Sequence, residues 1–417
     1  MSALPLPQEL CYKIIERLQG DNLSLCNCSL VCQSWAKGAH NLLFYHVTVD
    51  DHNFDRFTDL IISPLSTLPL SIRRLDLAPV GGADVRWLRR LIPFLQVLTS
   101  VWSLYLKNVD WSALNGWSKY NFLSIFRTTV TDLSLQNIEF EKLSDLLDII
   151  CGLRSLRFAS FVKITWKDAS FSFPSTANKS MPNTVNHLLL RECNIQQFMN
   201  WVLTHHPIPT VYHLDASFME ESDIIAIGSY VAILGPALQT LAFEFGGNVR
   251  STTNPNCSSY ACGSDPYSPS APSTRSSAIN EPTDHPLLPG KADETMTCGN
   301  LRRAVSLQVI YLHKFIYYSN PQLSNCLYWA PRVLRSINSL NLERVVFEVF
   351  LSSMEELTAH TIPWDTFDKI IQGESNKNIK TLHFDIHGTV DTTDFESFVC
   401  DKLPHCDSRN ILQFKAR

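Results

Sequence analysis

The chain has 417 residues, 45% of them hydrophobic, a formal net charge of −5 and a pI of about 6.2. This length allows two or three domains with a large core, and the acidic balance disfavours nucleic acid or an anionic membrane surface as a partner. No apolar run reaches the roughly 18 residues that would span a bilayer, and the first twenty residues carry several charges, unlike a secretory signal. We therefore expect a protein of the cytoplasm, the nucleus or both.

The first 45 residues predict three short helices. Pro7 suits the first turn of a helix, where its missing N–H has no intrahelical partner to lose. Apolar residues then recur every four positions over residues 10–18. Gly20 is a candidate stop, the pair 21–22 offers a cap for the second helix, and Gly38 predicts the end of the third. A module of about 40 residues buries little surface, so it needs a partner or a neighbouring domain.

Residue types in this segment follow an ordered motif: L-P-x-E-L at Leu6–Leu10, I-I-x-x-L at Ile14–Leu18, D-x-L at Asp21–Leu23 and L-V-C-x-x-W at Leu30–Trp35. The motif resembles the F-box, a helical module that connects proteins to a ubiquitin ligase scaffold. The basic residue that many F-boxes carry in the last motif is Gln33 here. The resemblance implies docking on a Skp-family adaptor through Leu6, Pro7, Leu10, Ile14, Ile15, Leu18, Leu23, Leu30, Val31 and Trp35. The alternative is an ordinary helical cap on a larger domain.

Three cysteines of this segment, Cys26, Cys28 and Cys32, invite comparison with a metal site. Their spacings match no common zinc pattern, and no histidine pair follows at the expected distance. We interpret them as small buried thiols, and we expect the twelve cysteines of the chain to be free in a reducing compartment.

Behind the helical segment, a pattern of three large apolar residues, Φ-x-x-Φ-x-Φ, recurs. Chance produces many matches to this pattern in so apolar a chain, so the evidence for a repeat is the regular spacing between successive matches. Successive copies up to Leu238 begin 23 to 32 residues apart, near the roughly 20–29 residues of leucine-rich repeats, and helical patterns lie between several of them. The copies begin at Phe44, Ile72, Val101, Val130, Leu153, Val185, Val211, Leu238, Leu307, Ile337 and Ile379.

A strand–helix unit cannot bury its apolar face alone, whereas stacked units bury it in a solenoid with a parallel sheet. We therefore predict an α/β chain with a three-helix F-box at 1–45 and a leucine-rich-repeat-like solenoid at 46–245. A Ser-, Thr- and Pro-rich insertion at 246–300 is predicted to be disordered, and 301–417 continues the solenoid and caps it. The whole is similar to F-box proteins with degenerate leucine-rich repeats that are abundant in mushroom-forming fungi. An irregular α/β domain with several buried strands is the alternative.

Sequence signatures of catalysis and of cofactor binding are missing. The chain contains no H-E-x-x-H and no G-x-S-x-G, and Gly290-Lys291 lacks the remainder of a phosphate loop. We therefore predict a non-catalytic protein without cofactor or metal. On each strand the residue between the last two Φ positions should face away from the core, and five such residues are candidate substrate contacts: Tyr105, Arg157, Asp215, Tyr311 and His383.

The resemblance implies a substrate-recognition subunit of an SCF-type ubiquitin ligase. Its partners would be a Skp-family adaptor, a cullin scaffold and an unknown protein substrate, which the repeats would hold near a ubiquitin-conjugating enzyme. Two other functions remain open. One is a repeat scaffold that the F-box tethers in a non-ligase complex, and the other is an enzyme with an unrecognised active site.

Overall fold

The computed structural model describes residues 7–80, 85–168, 179–219, 221–245, 301–317, 329–358 and 362–417. Three helices come first: α1 (Gln8–Glu16), α2 (Asn22–Ser29) and α3 (Gln33–Leu43). Gly20 takes a φ of +95° in the turn after α1, a left-handed conformation that favours glycine. Asp21 caps α2, because its carboxylate accepts hydrogen bonds from Ser24 N at 3.0 Å and Ser24 Oγ at 2.6 Å.

Gly38 does not end the third helix, so that prediction is wrong. Helix α3 continues to Leu43, and Gly38 lies where α3 crosses α1. A Cβ atom at this position would stand 3.0 Å from Tyr12 Cδ1 and 3.2 Å from Ile15 Cδ1. The glycine therefore permits the close approach of two helices. The small core beneath consists of Ile15, Leu25, Cys28 and Ala39.

The twelve strands of the described residues form one sheet, in which each strand pairs in parallel with the next strand in sequence. They are β1 (His46–Val49), β2 (Arg74–Leu77), β3 (Ser103–Lys107), β4 (Asp132–Lys142), β5 (Phe158–Asp168), β6 (His187–Arg191), β7 (His213–Met219), β8 (Thr240–Phe245), β9 (Val309–Tyr317), β10 (Arg344–Phe350), β11 (Thr381–His387) and β12 (Leu412–Ala416). This sequential parallel order confirms the predicted α/β solenoid-like class.

Helices occupy most of the intervals between strands. They are α4 (Phe54–Ile62), α5 (Leu68–Ser71), α6 (Arg86–Leu91), α7 (Gly116–Phe126), α8 (Leu143–Gly152), α9 (Ile195–Leu203), α10 (Glu221–Leu234), α11 (Trp329–Ser336), α12 (Met354–Thr358), α13 (Trp364–Gln372), α14 (Thr392–Lys402) and α15 (Pro404–Ser408). One continuous core, which extends from Val49 to Ile411, lies between the sheet and the helices. None of these helices is long and apolar enough to cross a membrane.

The repeat on β5 begins at Leu156, three residues after the predicted Leu153. Ala159 pairs with Leu133 of β4 and is fully buried, so it holds the central inward position of this repeat. A search for large apolar residues misses it because its side chain is small. Phe158, which the pattern treated as inward, is only half-buried.

Two further strands departed from the predicted pattern. The copy on β10 begins at Leu342 rather than Ile337, since Leu340 of the predicted copy is 61% exposed. Strand β12 had no predicted copy, because Arg409 stands where the pattern requires an apolar residue.

The sheet is continuous where the insertion was predicted, since Leu241 of β8 pairs directly with Ile310 of β9. The predicted disordered segment at 246–300 lies outside the described residues.

Candidate functional site

The helical module carries a group of exposed apolar side chains. Leu30, Leu23 and Val31 are 84%, 75% and 63% exposed, and Leu10 and Ile14 are each 46% exposed. Leu10 and Ile14 lie one turn apart on the same side of α1. Leu23 lies in the first turn of α2, and Leu30 and Val31 follow the end of that helix. With the exposed Pro7, these residues form what we call the module's apolar surface: Pro7, Leu10, Ile14, Leu23, Leu30 and Val31.

The other predicted docking residues have different positions. Ile15 is only 1% exposed, so its side chain has a core position rather than the surface position that the docking prediction needs. Leu18 and Trp35 are half-buried and pack against the same small core. Leu6 lies outside the described residues. The side chains of Ile15, Leu18 and Trp35 therefore belong to the small core or pack against it, beneath the exposed residues.

The three cysteines of the module do not share one environment. Cys28 is buried in the small core, but Cys26 and Cys32 are exposed, so the prediction of buried thiols is wrong for these two. A hydrogen bond with Ser34, whose Oγ lies 3.2 Å from the sulfur, lowers the pKa of the Cys32 thiol. Within the described ranges, no group of three or more histidines, cysteines and carboxylates is arranged to hold a metal ion.

The sheet aligns one side chain per strand on the face opposite the core. This strand-face row consists of Thr48, Asp76, Tyr105, Ser134, Ser160, Leu189, Asp215, Ala242, Tyr311, Val346, His383 and Gln413. Four of the five candidate substrate contacts belong to the row: Tyr105, Asp215, Tyr311 and His383. Arg157 does not, because the repeat on β5 is shifted. Arg157 precedes the strand, its amide donates to Thr131 O at 2.7 Å, and Ser160 occupies the row position.

Near the first repeats, polar side chains of the row contact residues that lie beside the row on the same strands or on neighbouring strands. Asp76 pairs with Arg74 Nε at 2.8 Å and with His46 Nε2 at 2.8 Å. The guanidinium of Arg74 lies 5.8 Å from the centre of the Tyr105 ring, and the Tyr105 hydroxyl donates to Gln136. Burial and the nearby Asp76 charge raise the pKa of the Tyr105 phenol, which keeps it a neutral hydrogen-bond donor.

A central charge cluster lies across β6 to β10 and consists of Arg191, Asp215, Glu244, His313, Lys314 and Glu348. Lys314 Nζ pairs with Glu244 Oε1 at 2.7 Å, and the Lys314 amide donates to Glu348 Oε2 at 3.3 Å. Asp215 Oδ2 is 2.7 Å from Arg191 Nη2 and 3.4 Å from His313 Nε2. His313 Nδ1 is 3.3 Å from Glu348 Oε2, and its ring stacks on Tyr311 at a centroid distance of 6.5 Å. His313 therefore joins carboxylates of β7 and β10, and on the intervening strand β8 the small Ala242 pairs with Asp215 on one side and with Tyr311 on the other.

Protonation of this cluster is set by mutual contacts. Burial alone would lower the pKa of His313, but its hydrogen bonds to Asp215 and Glu348 outweigh burial and raise the pKa to about 9. Burial would likewise raise the pKa of Asp215, but hydrogen bonds from His313 and Arg191 lower it to about 2. At neutral pH these groups are charged and paired, so Asp215 serves the internal network more than an incoming ligand.

A pocket of about 330 Å³ opens on the strand face at β9 to β12. Within it, Asp385 accepts from His383 Nε2 at 3.0 Å and pairs with Arg417 Nη2 at 2.9 Å. We call it the C-terminal pocket; its lining residues are Tyr311, Arg344, Val346, His383, Asp385, Gln413, Lys415 and Arg417. It joins two of the predicted contacts, Tyr311 and His383. Sequence reasoning missed Arg344, Asp385, Lys415 and Arg417, because they occupy the rows on either side of the predicted one or follow the last strand.

Comparison with known families bears on the helical module. Residues 4–50 match a family model described as F-box-like. The helical module is F-box-like. The match covers α1 to α3 and β1, and it includes every residue of the module's apolar surface. No curated protein matches the chain by sequence.

Two solved structures align with most of the chain. One is the crystal structure of the Rad7 and Elc1 complex in yeast, with 12% identity, 92% of this chain and 89% of that chain covered, and a TM-score of 0.36. The other is the leucine-rich-repeat ectodomain of the plant membrane receptor kinase GASSHO1/SCHENGEN3 from Arabidopsis thaliana, in complex with CASPARIAN STRIP INTEGRITY FACTOR 2. The sequence identity is 10% and the TM-score is 0.23. The alignment covers 91% of this chain but 45% of the ectodomain chain, so this chain spans less than half of the ectodomain.

Proposed function

We propose that this protein is a non-catalytic substrate-recognition subunit of an SCF-type ubiquitin ligase, which docks on a Skp-family adaptor through its helical module. The proposal rests on the fact that the family match and the exposed apolar side chains fall in the same segment. The segment that matches the F-box-like family is also the segment with Leu23, Leu30 and Val31 largely exposed. Water disfavours a group of exposed apolar side chains, and a partner that covers them gains the free energy of their burial.

The size of this gain follows from the exposures. Full burial of a large aliphatic side chain contributes about 1.5–3 kcal/mol. Leu23, Leu30 and Val31 keep 75%, 84% and 63% of their surface exposed, so covering all three would contribute about 4 kcal/mol, or about a thousandfold in affinity. Pro7, Leu10 and Ile14 extend the proposed contact, together with Leu6, which lies outside the described residues.

The helical module is firmly joined to the first repeat. Tyr45 O accepts hydrogen bonds from Arg73 N at 3.0 Å and Arg74 N at 2.9 Å, and Ser71 Oγ donates to Asn41 Oδ1 at 2.9 Å. In the proposed complex, a substrate on the strand face would therefore sit at a defined distance from the adaptor. Proximity is then the mechanism, because holding two reactants together raises their effective concentration. The substrate would contact the strand-face row, where Tyr105, Tyr311 and His383 keep exposed surface.

Co-purification tests the proposal and separates it from its rival. The full chain is co-expressed with a Skp-family adaptor and a cullin, and we expect all three to be recovered together. Recovery of the adaptor without the cullin would favour the rival, a repeat scaffold tethered through its F-box. Recovery of neither would contradict both.

A further inference from the structure

The C-terminal pocket has a charge opposite to that of the chain. Its lining includes Arg344, Lys415 and Arg417 against the single carboxylate Asp385, whereas the whole chain carries −5. The Asp385 carboxylate already has partners in the pocket, because it pairs with Arg417 at 2.9 Å and with His383 at 3.0 Å. Among the described residues, Arg344 and Lys415 form no ion pair. The pocket therefore holds two cationic groups with no internal anion to balance them.

The wall of the pocket suits a side chain rather than a bare ion. Tyr311 and Val346 give it an apolar part, and its volume of about 330 Å³ is large enough for one or two side chains. Arg344 and Lys415 lie two strands and four register positions apart, so they suit two separate carboxylates of an acidic segment. A single dianionic phosphate concentrates the same charge at one point, where it would contact only one of the two cations.

We propose that the C-terminal pocket binds aspartate or glutamate side chains of an acidic peptide segment in a partner protein. Because Arg344 and Lys415 lie two strands and four register positions apart, each attracts its own carboxylate, and the stem of one acidic side chain packs on Tyr311 and Val346. The inference deepens the proposed function, since it names the chemistry that the strand face recognises in a substrate.

Fluorescence anisotropy with the full chain tests this assignment. The probes are a fluorescein-labelled peptide of about ten residues rich in glutamate, the same peptide with glutamine at those positions, and the same peptide with phosphoserine there. We expect the glutamate peptide to bind at least tenfold more tightly than the glutamine peptide, and its affinity to fall as salt is raised. Equal binding of these two peptides, or no binding of the glutamate peptide, would overturn the proposal. Pocket-dependent binding of the phosphoserine peptide that is tenfold tighter would also overturn it, in favour of a phosphopeptide.

Matched variants separate the pocket from overall charge. The variant Arg344→Gln with Lys415→Gln should lose about tenfold to a hundredfold in affinity for the glutamate peptide. The control Lys377→Gln with Lys402→Gln makes the same change in net charge outside the pocket, and we expect it to bind as the unmodified chain does. Equal losses in the two variants would refute the assignment.

Adaptor binding is measured on the same protein samples. Peptide binding that fails while the adaptor still binds would refute the pocket alone. Absence of adaptor binding would refute the proposed function, and the peptide titration would still decide what the pocket binds.

Discussion

The central charge cluster should make stability depend on pH in a defined way. The perturbation is His313→Gln, which removes the cation between Asp215 and Glu348 and leaves the Arg191–Asp215 pair in place. The folded pKa of His313 is about 9 and its ordinary value is 6.5. At about 1.4 kcal/mol per pH unit, this difference corresponds to about 3 kcal/mol of stability.

The sign follows from the direction of this pKa change. A group whose pKa is raised on folding contributes its full stabilisation below its unfolded pKa and loses it as the pH rises through the folded pKa. His313 should therefore stabilise the fold fully below about pH 6.5, and the contribution should disappear between that pH and about pH 9.

Urea denaturation of both proteins at several pH values measures this effect. We expect the free energy of unfolding of His313→Gln to be about 2–3 kcal/mol lower at pH 6, and the gap to shrink to under about 1 kcal/mol well above pH 9. The matched control is His46→Gln, which also removes a histidine paired with a carboxylate, but one with 47% of its side chain exposed. It should cost at most about 1 kcal/mol. A gap for His313→Gln that is equally large at both ends of the pH range would refute the reasoning.

Three further predictions concern single positions. Gly38→Ala should destabilise the chain by about 1–3 kcal/mol, because the new methyl group would press on α1 at 3.0 Å; an unchanged melting temperature would contradict this contact. Gly388→Ala should be more harmful, since Gly388 has a φ of +118° and a Cβ atom would collide with a backbone carbonyl, whereas Gly116→Ala meets nothing within 4 Å and serves as its control in the same thermal melts. Iodoacetamide at pH 7.5 should modify the exposed Cys32 well before the buried Cys406, whose pKa burial raises to about 12; mass spectrometry that found equal rates would contradict the assigned environments.

The solenoid was predictable because its signal is repeated. The inward residues of each parallel strand are apolar. The regular repeat length therefore shows which matches to the apolar pattern are strands, even though single matches also arise by chance. The prediction was wrong in repeats where an inward residue is small or where a large apolar residue is exposed. Ala159 is inward but small, and Leu340 is apolar but 61% exposed. One misplaced repeat moved a candidate contact from Ser160 to Arg157, since a side-chain row is defined only once the register is known.

The candidate sites were predictable to different degrees. The F-box-like motif marks which residues belong to the helical module, but it does not distinguish the exposed Leu30 from the buried Ile15, because both are large and apolar. The C-terminal pocket depends on Arg344, Asp385 and Lys415, which come from three strands and meet only in the folded sheet. No local pattern in the sequence relates them.

The most direct test of the account is calorimetric titration of the full chain with a purified Skp-family adaptor. The variant Leu30→Asp with Val31→Asp alters the module's apolar surface at two exposed positions, and Leu65→Asp alters a residue that is 92% exposed outside the module. Far-ultraviolet circular dichroism checks that each variant is folded. We predict that the double variant binds the adaptor at least a hundredfold more weakly, and that Leu65→Asp binds as the unmodified chain does. Unchanged affinity of a folded double variant would contradict the assignment of this surface as the docking site.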